Sequence, residues 1–194
     1  MTQASNAREL SAALTPVDRR TLLRVAWQAL VTHFSHSATT DRHTDAPALR
    51  EFRATFVTLR DRESGKLRGC RGETSARQPL IESVAHIAVA SAIDDPRFPS
   101  VSRDEVPLLH IEISALAEMT PIHPRDVVVG RHGLLIRRGS RSGLLLPNVA
   151  TEHRWDRGEF LKQLCRKAGL PPGVWETPDA QLYAFEADVW GEDA

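Results

Sequence analysis

The chain has 194 residues, 41% of them apolar and 26% charged, which is enough for one domain that needs no metal or disulfide staple. Its 25 cationic and 25 anionic side chains balance, excluding a global polyelectrolyte role such as coating nucleic acid. The cations are 22 arginines against 3 lysines, a bias expected of a GC-rich genome, and Cys70 and Cys165 make neither a C-x-x-C pair nor a disulfide framework.

Residues 1–14 are small and polar and are expected to be disordered, leaving 15–190 as the domain. The start of the chain lacks a basic stretch followed by an apolar run, and no segment approaches the roughly 18 apolar residues of a membrane span. A cytoplasmic, reducing compartment is therefore expected. Thr15-Pro16-Val17-Asp18 reads as a helix start, with Thr as N-cap and Pro in the first turn. Leu23, Ala26, Trp27, Leu30, Val31 and Phe34 then recur at helical spacing and predict one buried face. Ser37 to Pro47 reads as a polar loop.

Ala54 to Arg60 is rich in β-formers and predicts a strand. Glu63-Ser64-Gly65-Lys66 is a turn signal, so Leu67 to Gly72 returns as its partner. Pro79 opens a second helix with Leu80, Ile81, Val84, Ala88 and Ala92 inward, broken by Asp94-Asp95-Pro96. Leu109 to Leu116 alternates as a strand. A second hairpin turns at Gly139–Gly143, between Leu134–Arg137 and Leu144–Leu146. A third long helix spans about Asp156 to Ala168, burying Phe160, Leu161, Leu164, Cys165 and Ala168, with Gly169 as its C-terminal cap. Gln181 to Val189 is a last strand with Tyr183, Phe185, Ala187 and Val189 on one face. Hairpins interleaved with single helices indicate an α+β fold with mixed or antiparallel sheets, not a parallel doubly wound one.

The hexapeptide Leu67-Arg68-Gly69-Cys70-Arg71-Gly72 carries the candidate chemistry. Strand interiors avoid glycine, so Gly69 and Gly72 imply close approach by another backbone or by a ligand. Flanking guanidinium groups favour the thiolate, the nucleophilic form of Cys70, and also suit bidentate binding of an anion. A tight bulge with a half-buried cysteine and two solvated arginines accounts for the same spacing, because G-x-x-G alone is a weak pattern.

Further segments surround it: Phe56-Val57-Thr58-Leu59, Pro79-Leu80, Asp95-Pro96-Arg97-Phe98-Pro99, Ile111-Glu112-Ile113-Ser114, Gly130-Arg131-His132-Gly133-Leu134, Gly143-Leu144-Leu145-Leu146-Pro147 and Cys165-Arg166-Lys167-Ala168-Gly169-Leu170-Pro171. Together they resemble the AMMECR-one domain family, in order, from about Thr15 to Val189. The resemblance implies a single compact α+β domain of two lobes, with about three main helices and a cleft between the lobes. It also implies kinship with system protein A of the AmmeMemoRadiSam group, hence a Memo-like protein and a radical-SAM enzyme as partners. The family's hexapeptide usually has an aliphatic residue where this chain has Arg71, and often a glycine where it has Ala54. Arg71 makes the motif more cationic.

Other constellations carry two readings each. Cys165 lies on the apolar stripe of its helix and reads as a buried structural thiol, or as a neighbour of Cys70 in the fold. His110, Glu112 and Ser114 share one strand face, as acid–base machinery or as simple alternation. His33 and His36 at i, i+3 read as a metal pair or a solvated helix end. Arg97, held between two prolines, is pre-organised for an anion or for an internal ion pair with an adjacent aspartate. Arg60, Arg62, Lys66, Arg68 and Arg71 form a basic run offset by Asp61, Glu63 and Glu73, a weak nucleic-acid signal without stacking aromatics.

No Walker A loop, dinucleotide G-x-G-x-x-G, H-E-x-x-H or G-x-S-x-G is found, so no cofactor and no metal are expected. The expected site has Cys70 as nucleophile or ligand, with Arg68, Gly69, Arg71, Gly72 and Arg97 holding a small anionic substrate. The alternative is a non-catalytic protein that docks the Memo-like or radical-SAM partner through the same face. Binding of RNA or a nucleotide through the basic run is a third.

Overall fold

Thr15 and Asp18 start the first helix as their spacing predicts. The Asp18 amide donates to the Thr15 hydroxyl at 3.2 Å, and the Thr15 amide donates back to the Asp18 carboxylate at 2.9 Å. The computed structural model describes residues 13–35, 42 and 44–192. It runs through α1 (Pro16–Ser35), α2 (Pro47–Arg50), β1 (Thr55–Asp61), β2 (Leu67–Gly72), α3 (Leu80–Ile93), β3 (Leu109–Leu116) and β4 (Thr120–Pro121). The second half holds β5 (Gly133–Arg138), β6 (Arg141–Leu145), α4 (Pro147–Glu152), α5 (Arg157–Lys167), β7 (Gln181–Phe185) and β8 (Ala187–Gly191). Short 3-10 helices lie at Arg103–Leu108, Pro124–Asp126 and Val174–Glu176.

The strands form two four-stranded sheets, ordered β2-β1-β3-β8 and β4-β7-β5-β6. Their pairings are antiparallel. α1 and α3 cover one face of the first sheet, where Val57, Leu59, Ile111 and Ile113 meet Leu22, Leu30, Val84 and Ala88 in one core. α5 covers the second sheet, laying Phe160, Leu161, Leu164 and Cys165 against Leu134, Ile136, Leu182 and Ala184. A small cluster of Ala54, Leu116 and Phe185, with Phe56, Leu144 and Leu146 packed on it, joins the two lobes. The three long helices, the hairpins and the α+β class agree with the sequence reading.

Two expectations are corrected. The last strand is not continuous: the chain leaves the second sheet after Phe185 and enters the first at Ala187. Glu186 sits at the step, its carbonyl accepting the Ala117 amide at 2.8 Å and its carboxylate meeting Arg131 at 2.8 Å. Each half answers to a different core, so Leu182 and Ala184 bury in one and Trp190 in the other, while Tyr183 and Val189 stay half-exposed. The buried stripe of α1 is also turned from the predicted one. Leu22, Val25, Ala26 and Leu30 face inward, Leu23 and Trp27 flank them, and Val31 is exposed. Trp27 is half-buried against the core, and its indole N–H donates to Glu192 at 2.6 Å.

α2, α4, β4 and the 3-10 helices were not anticipated, being too short to show a period. Leu14 is buried in the first core. Residues 1–12, 36–41, 43, 193 and 194 lie outside the described residues, and with them His36 and most of the expected loop. Among the described residues no helix is long and apolar enough to cross a membrane. Among them, too, no group of three or more His, Cys, Asp or Glu could hold a metal ion.

Candidate functional site

β2 is an edge strand of the first sheet, and the hexapeptide fills it end to end. The turn at Gly65, in the left-handed region at φ 68°, sets a register that pairs Cys70 with Thr58 and Thr58 in turn with Glu112. Paired residues share a face, so Cys70, Thr58 and Glu112 form one row on the sheet face away from α3. The Thr58 hydroxyl donates to the Cys70 sulfur at 3.4 Å. Cys70 itself is half-buried and is a free thiol.

The segment after α3 closes over the edge of β2. Asp95, only 5% exposed, accepts the Cys70 amide at 2.8 Å. The same carboxylate accepts the Arg97 amide at 3.1 Å and two guanidinium donors of Arg97 at 2.9 and 2.7 Å. The Arg97 guanidinium holds the Asp95 carboxyl well below the usual carboxylate range, outweighing the opposing effect of burial, and the Cys70 and Arg97 amides add to it. Arg97 is raised in return, first by Asp95; the nearby Cys70 sulfur acts in the same direction. Half of the Arg97 side chain remains solvent-exposed. A fixed cation therefore stands beside the thiol with one side open.

The other hexapeptide residues take different roles. Arg68 is turned away into a clamp: it meets both oxygens of Glu105 at 2.8 and 3.3 Å and donates to the Pro99 carbonyl at 2.9 Å. That pairing lowers the Glu105 carboxyl to about 2, with the Ser102 amide contributing. Arg71 pairs with Val57 in register, so it lies on the α3 side of the strand, opposite Cys70, and is exposed. Its amide donates to the Ser91 hydroxyl at 3.0 Å. Among the described residues nothing pairs with its guanidinium. The structure thus brings Arg97 to Cys70, and neither Arg68 nor Arg71.

Both glycines are required by the protein's own packing. A Cβ on Gly69 would run into the Ser91 carbonyl of α3, and one on Gly72 would strike the Phe56 ring. Of the two approaches the sequence left open for Gly69, another backbone is the one found.

Cys165 is fully buried in the second core, and burial pushes its thiol up. It does not share a cluster with Cys70. His110 is held 3.4 Å from Glu192, and Ser114 is buried, so the row of His110, Glu112 and Ser114 is not an assembled triad. The basic run is largely consumed: Arg60 donates to the Gly65 carbonyl, Arg62 to Glu192 and Arg68 to Glu105. Two cavities, one between α1 and α3 and one in the second lobe, include no hexapeptide residue. Thr58 and Glu105 were missed as site residues. Hairpin register from the Gly65 turn could have found Thr58; Glu105 shows only as the end of a Ser102-x-x-Glu105 capping pattern.

Two antiparallel sheets sharing a split terminal strand, with a glycine-bracketed cysteine on the edge of the first, define a particular class of small α+β domain. The chain belongs to the AMMECR1 family, whose model matches residues 23–190. A protein of Methanopyrus kandleri is 40% identical over 189 residues, covering 93% of this chain and 91% of its own length. One from Methanothermobacter thermautotrophicus is 38% identical, covering 94% and 98%. The crystal structure of the uncharacterized protein PH0010 from Pyrococcus horikoshii superposes with a TM-score of 0.81 at 38% identity, covering 89% of this chain and 90% of that one.

Proposed function

We propose that Cys70 is a nucleophilic thiol serving a small anionic substrate, and that Arg97 holds the anionic group beside it. The observation that carries this reading is the shared carboxylate of Asp95. By accepting from both the Cys70 amide and the Arg97 guanidinium, it fixes a half-exposed cation next to a half-exposed sulfur. A partly exposed thiol in an electropositive setting is the environment in which cysteines react. Arg68 supports the site by bracing β2 against Glu105, and Gly69 and Gly72 by letting the strand seat.

Two alkylating reagents of similar size test it. Iodoacetate is anionic and iodoacetamide neutral; each loses iodide as the Cys70 sulfur forms a new S–C bond. Relative to free glutathione, native protein is expected to favour iodoacetate several-fold, and Arg97→Ala to remove that preference. A Cys70 that resists both reagents, or an unchanged ratio in Arg97→Ala, sinks the reading.

A second reading is favoured by a different observation: Arg71 is exposed on the face of the edge strand opposite the site. An exposed cation of this kind suits docking of a protein partner, such as a Memo-like or radical-SAM protein. Co-purification that survives Cys70→Ser but is lost in Arg71→Glu supports docking. Absence of a complex with either protein at micromolar concentration counts against it.

A further inference from the structure

The second lobe carries an open groove of about 630 Å³, separate from the hexapeptide. Ile122, Leu161, Leu182 and Trp175 line its apolar part, and all four belong to or pack against the second core. Its polar groups gather at the turn that follows β4 and at the first turn of α5: His123, Arg125 and Arg157.

These groups are placed by specific contacts. The Arg125 amide donates to His123 Nδ1 at 3.2 Å, which leaves Nε2 to carry the ring proton and to donate. One terminal nitrogen of Arg157 donates to the Arg125 carbonyl at 2.6 Å, holding its guanidinium over the turn with other N–H groups unused by that bond. Arg125 has only a loose exposed contact with Asp126 at 3.8 Å, of a kind worth little in water. Glu176 also borders the groove, so its charge limits the site to a ligand of low negative charge.

We propose that this groove binds a small monoanion with a flat apolar body, of the aromatic carboxylate class. The ring lies against Trp175 and Leu161, and the carboxylate meets Arg125, Arg157 and His123. The volume falls within the roughly 300–1,000 Å³ typical of small-molecule sites, and planar guanidinium forks match a carboxylate's two oxygens.

The test uses the indole N–H resonances of the four tryptophans, with Trp175 assigned by its loss in Trp175→Phe. The intact chain is titrated with 2-naphthoate and, separately, with 2-naphthalenemethanol, which keeps the ring and removes the charge. The Trp175 resonance is expected to move saturably with naphthoate, and the alcohol to bind about tenfold more weakly. Arg125→Ala combined with Arg157→Gln is expected to reduce naphthoate to the level of the alcohol. The other three indole resonances report that the variant is folded, and Arg125→Ala alone serves if the double variant is not. A Trp175 resonance that stays put at millimolar naphthoate, equal affinity for the two compounds, or undiminished binding in the folded variant overturns the proposal.

Discussion

Asp95 accepts the backbone amide of Cys70 at 2.8 Å while its other contacts hold Arg97, so one buried carboxylate sets the position of both the sulfur and its neighbouring cation. It also covers part of the exposed edge of β2. An unprotected edge strand invites pairing with another chain, and here the Cys70 amide on that edge is taken by Asp95. The Arg71 amide turns inward to the Ser91 hydroxyl, which donates to the Val57 carbonyl of β1. The Asp95 contact that builds the site therefore also blocks strand pairing at that point of the edge.

Asp95→Asn retains an oxygen for the Cys70 amide but removes the charge that anchors Arg97. Urea denaturation is expected to show a loss of about 1–3 kcal/mol, the range for a hydrogen-bonded buried charge left with a weaker partner. The preference of Cys70 for iodoacetate should also shrink, because Arg97 is no longer held at the sulfur. A variant as stable as the parent, with an unchanged reagent ratio, would show that Asp95 positions neither group.

Among the described residues four carboxyls are depressed, those of Asp61 and Asp179 by exposed hydrogen bonds and those of Asp95 and Glu105 at the site. The latter two shape the site's share of the acid limb of stability. A carboxyl whose folded value lies below its unfolded one stabilises the protein above the unfolded value and loses that contribution as pH falls. Glu105 is lowered from 4.5 to about 2, and Asp95 is lowered from 3.8. Stability is therefore expected to hold from neutrality down to about pH 5 and to decline below 4.5, with the Glu105 contribution fading down to about 2. Glu105→Gln should lower stability at pH 7 and flatten that decline. Chemical denaturation repeated between pH 7 and 3 measures both, and a slope identical in the variant would remove Glu105 from the account.

Two alanine substitutions in the same hairpin separate packing from backbone conformation. Gly65 has a left-handed φ of 68° with open space around it, so Gly65→Ala is expected to cost about 1 kcal/mol from conformation alone. Gly69 has ordinary strand geometry, but its missing side chain makes room for the Ser91 carbonyl. Gly69→Ala must push β2 away from α3 and is expected to cost about 2–3 kcal/mol, with slower or lost labelling geometry at Cys70. Equal losses for the two variants would mean that the β2–α3 contact yields easily.

The legible and illegible parts of this protein divide along physical lines. β2 and β3 matched their predicted bounds because a turn signal and an uninterrupted alternation marked them. The buried face of α3 matched for the same reason: its apolar residues have only one core to face. The break at Glu186 left no local mark, since apolar alternation persists across it and only the partner sheet changes. At the site, the pairing of an aspartate with Arg97 was readable from their adjacency in sequence. That Arg68 spends its fork on Glu105, 37 positions away, was not. Neither was the choice of face for Arg71, because hexapeptide spacing alone does not say which side of the strand α3 covers.

Arg53 gives the last prediction, and it concerns the joint between the sheets. At 6% exposure it is a buried cation, yet it follows the exposed Phe52 and no sequence pattern marks it. Its guanidinium donates to the Ala115 carbonyl at 2.9 Å, the Leu116 carbonyl at 3.2 Å and the Asp188 carboxylate at 3.0 Å. It therefore ties the end of β3 to β8, just beyond the step at which the chain changes sheets. Asp188 also meets Arg19 of α1, at 3.4 Å, so it keeps a partner when Arg53 is lost. Arg53→Met, matched in length and apolar, is expected to cost about 2–4 kcal/mol through loss of those three contacts. Arg53→Lys should recover little of this, since a single ammonium cannot span three acceptors arranged for a planar fork. Hydrogen exchange would locate the effect: faster exchange confined to β8 and the end of β3 supports a local tie. A full rescue by lysine would mean that charge alone, without the fork geometry, holds the joint.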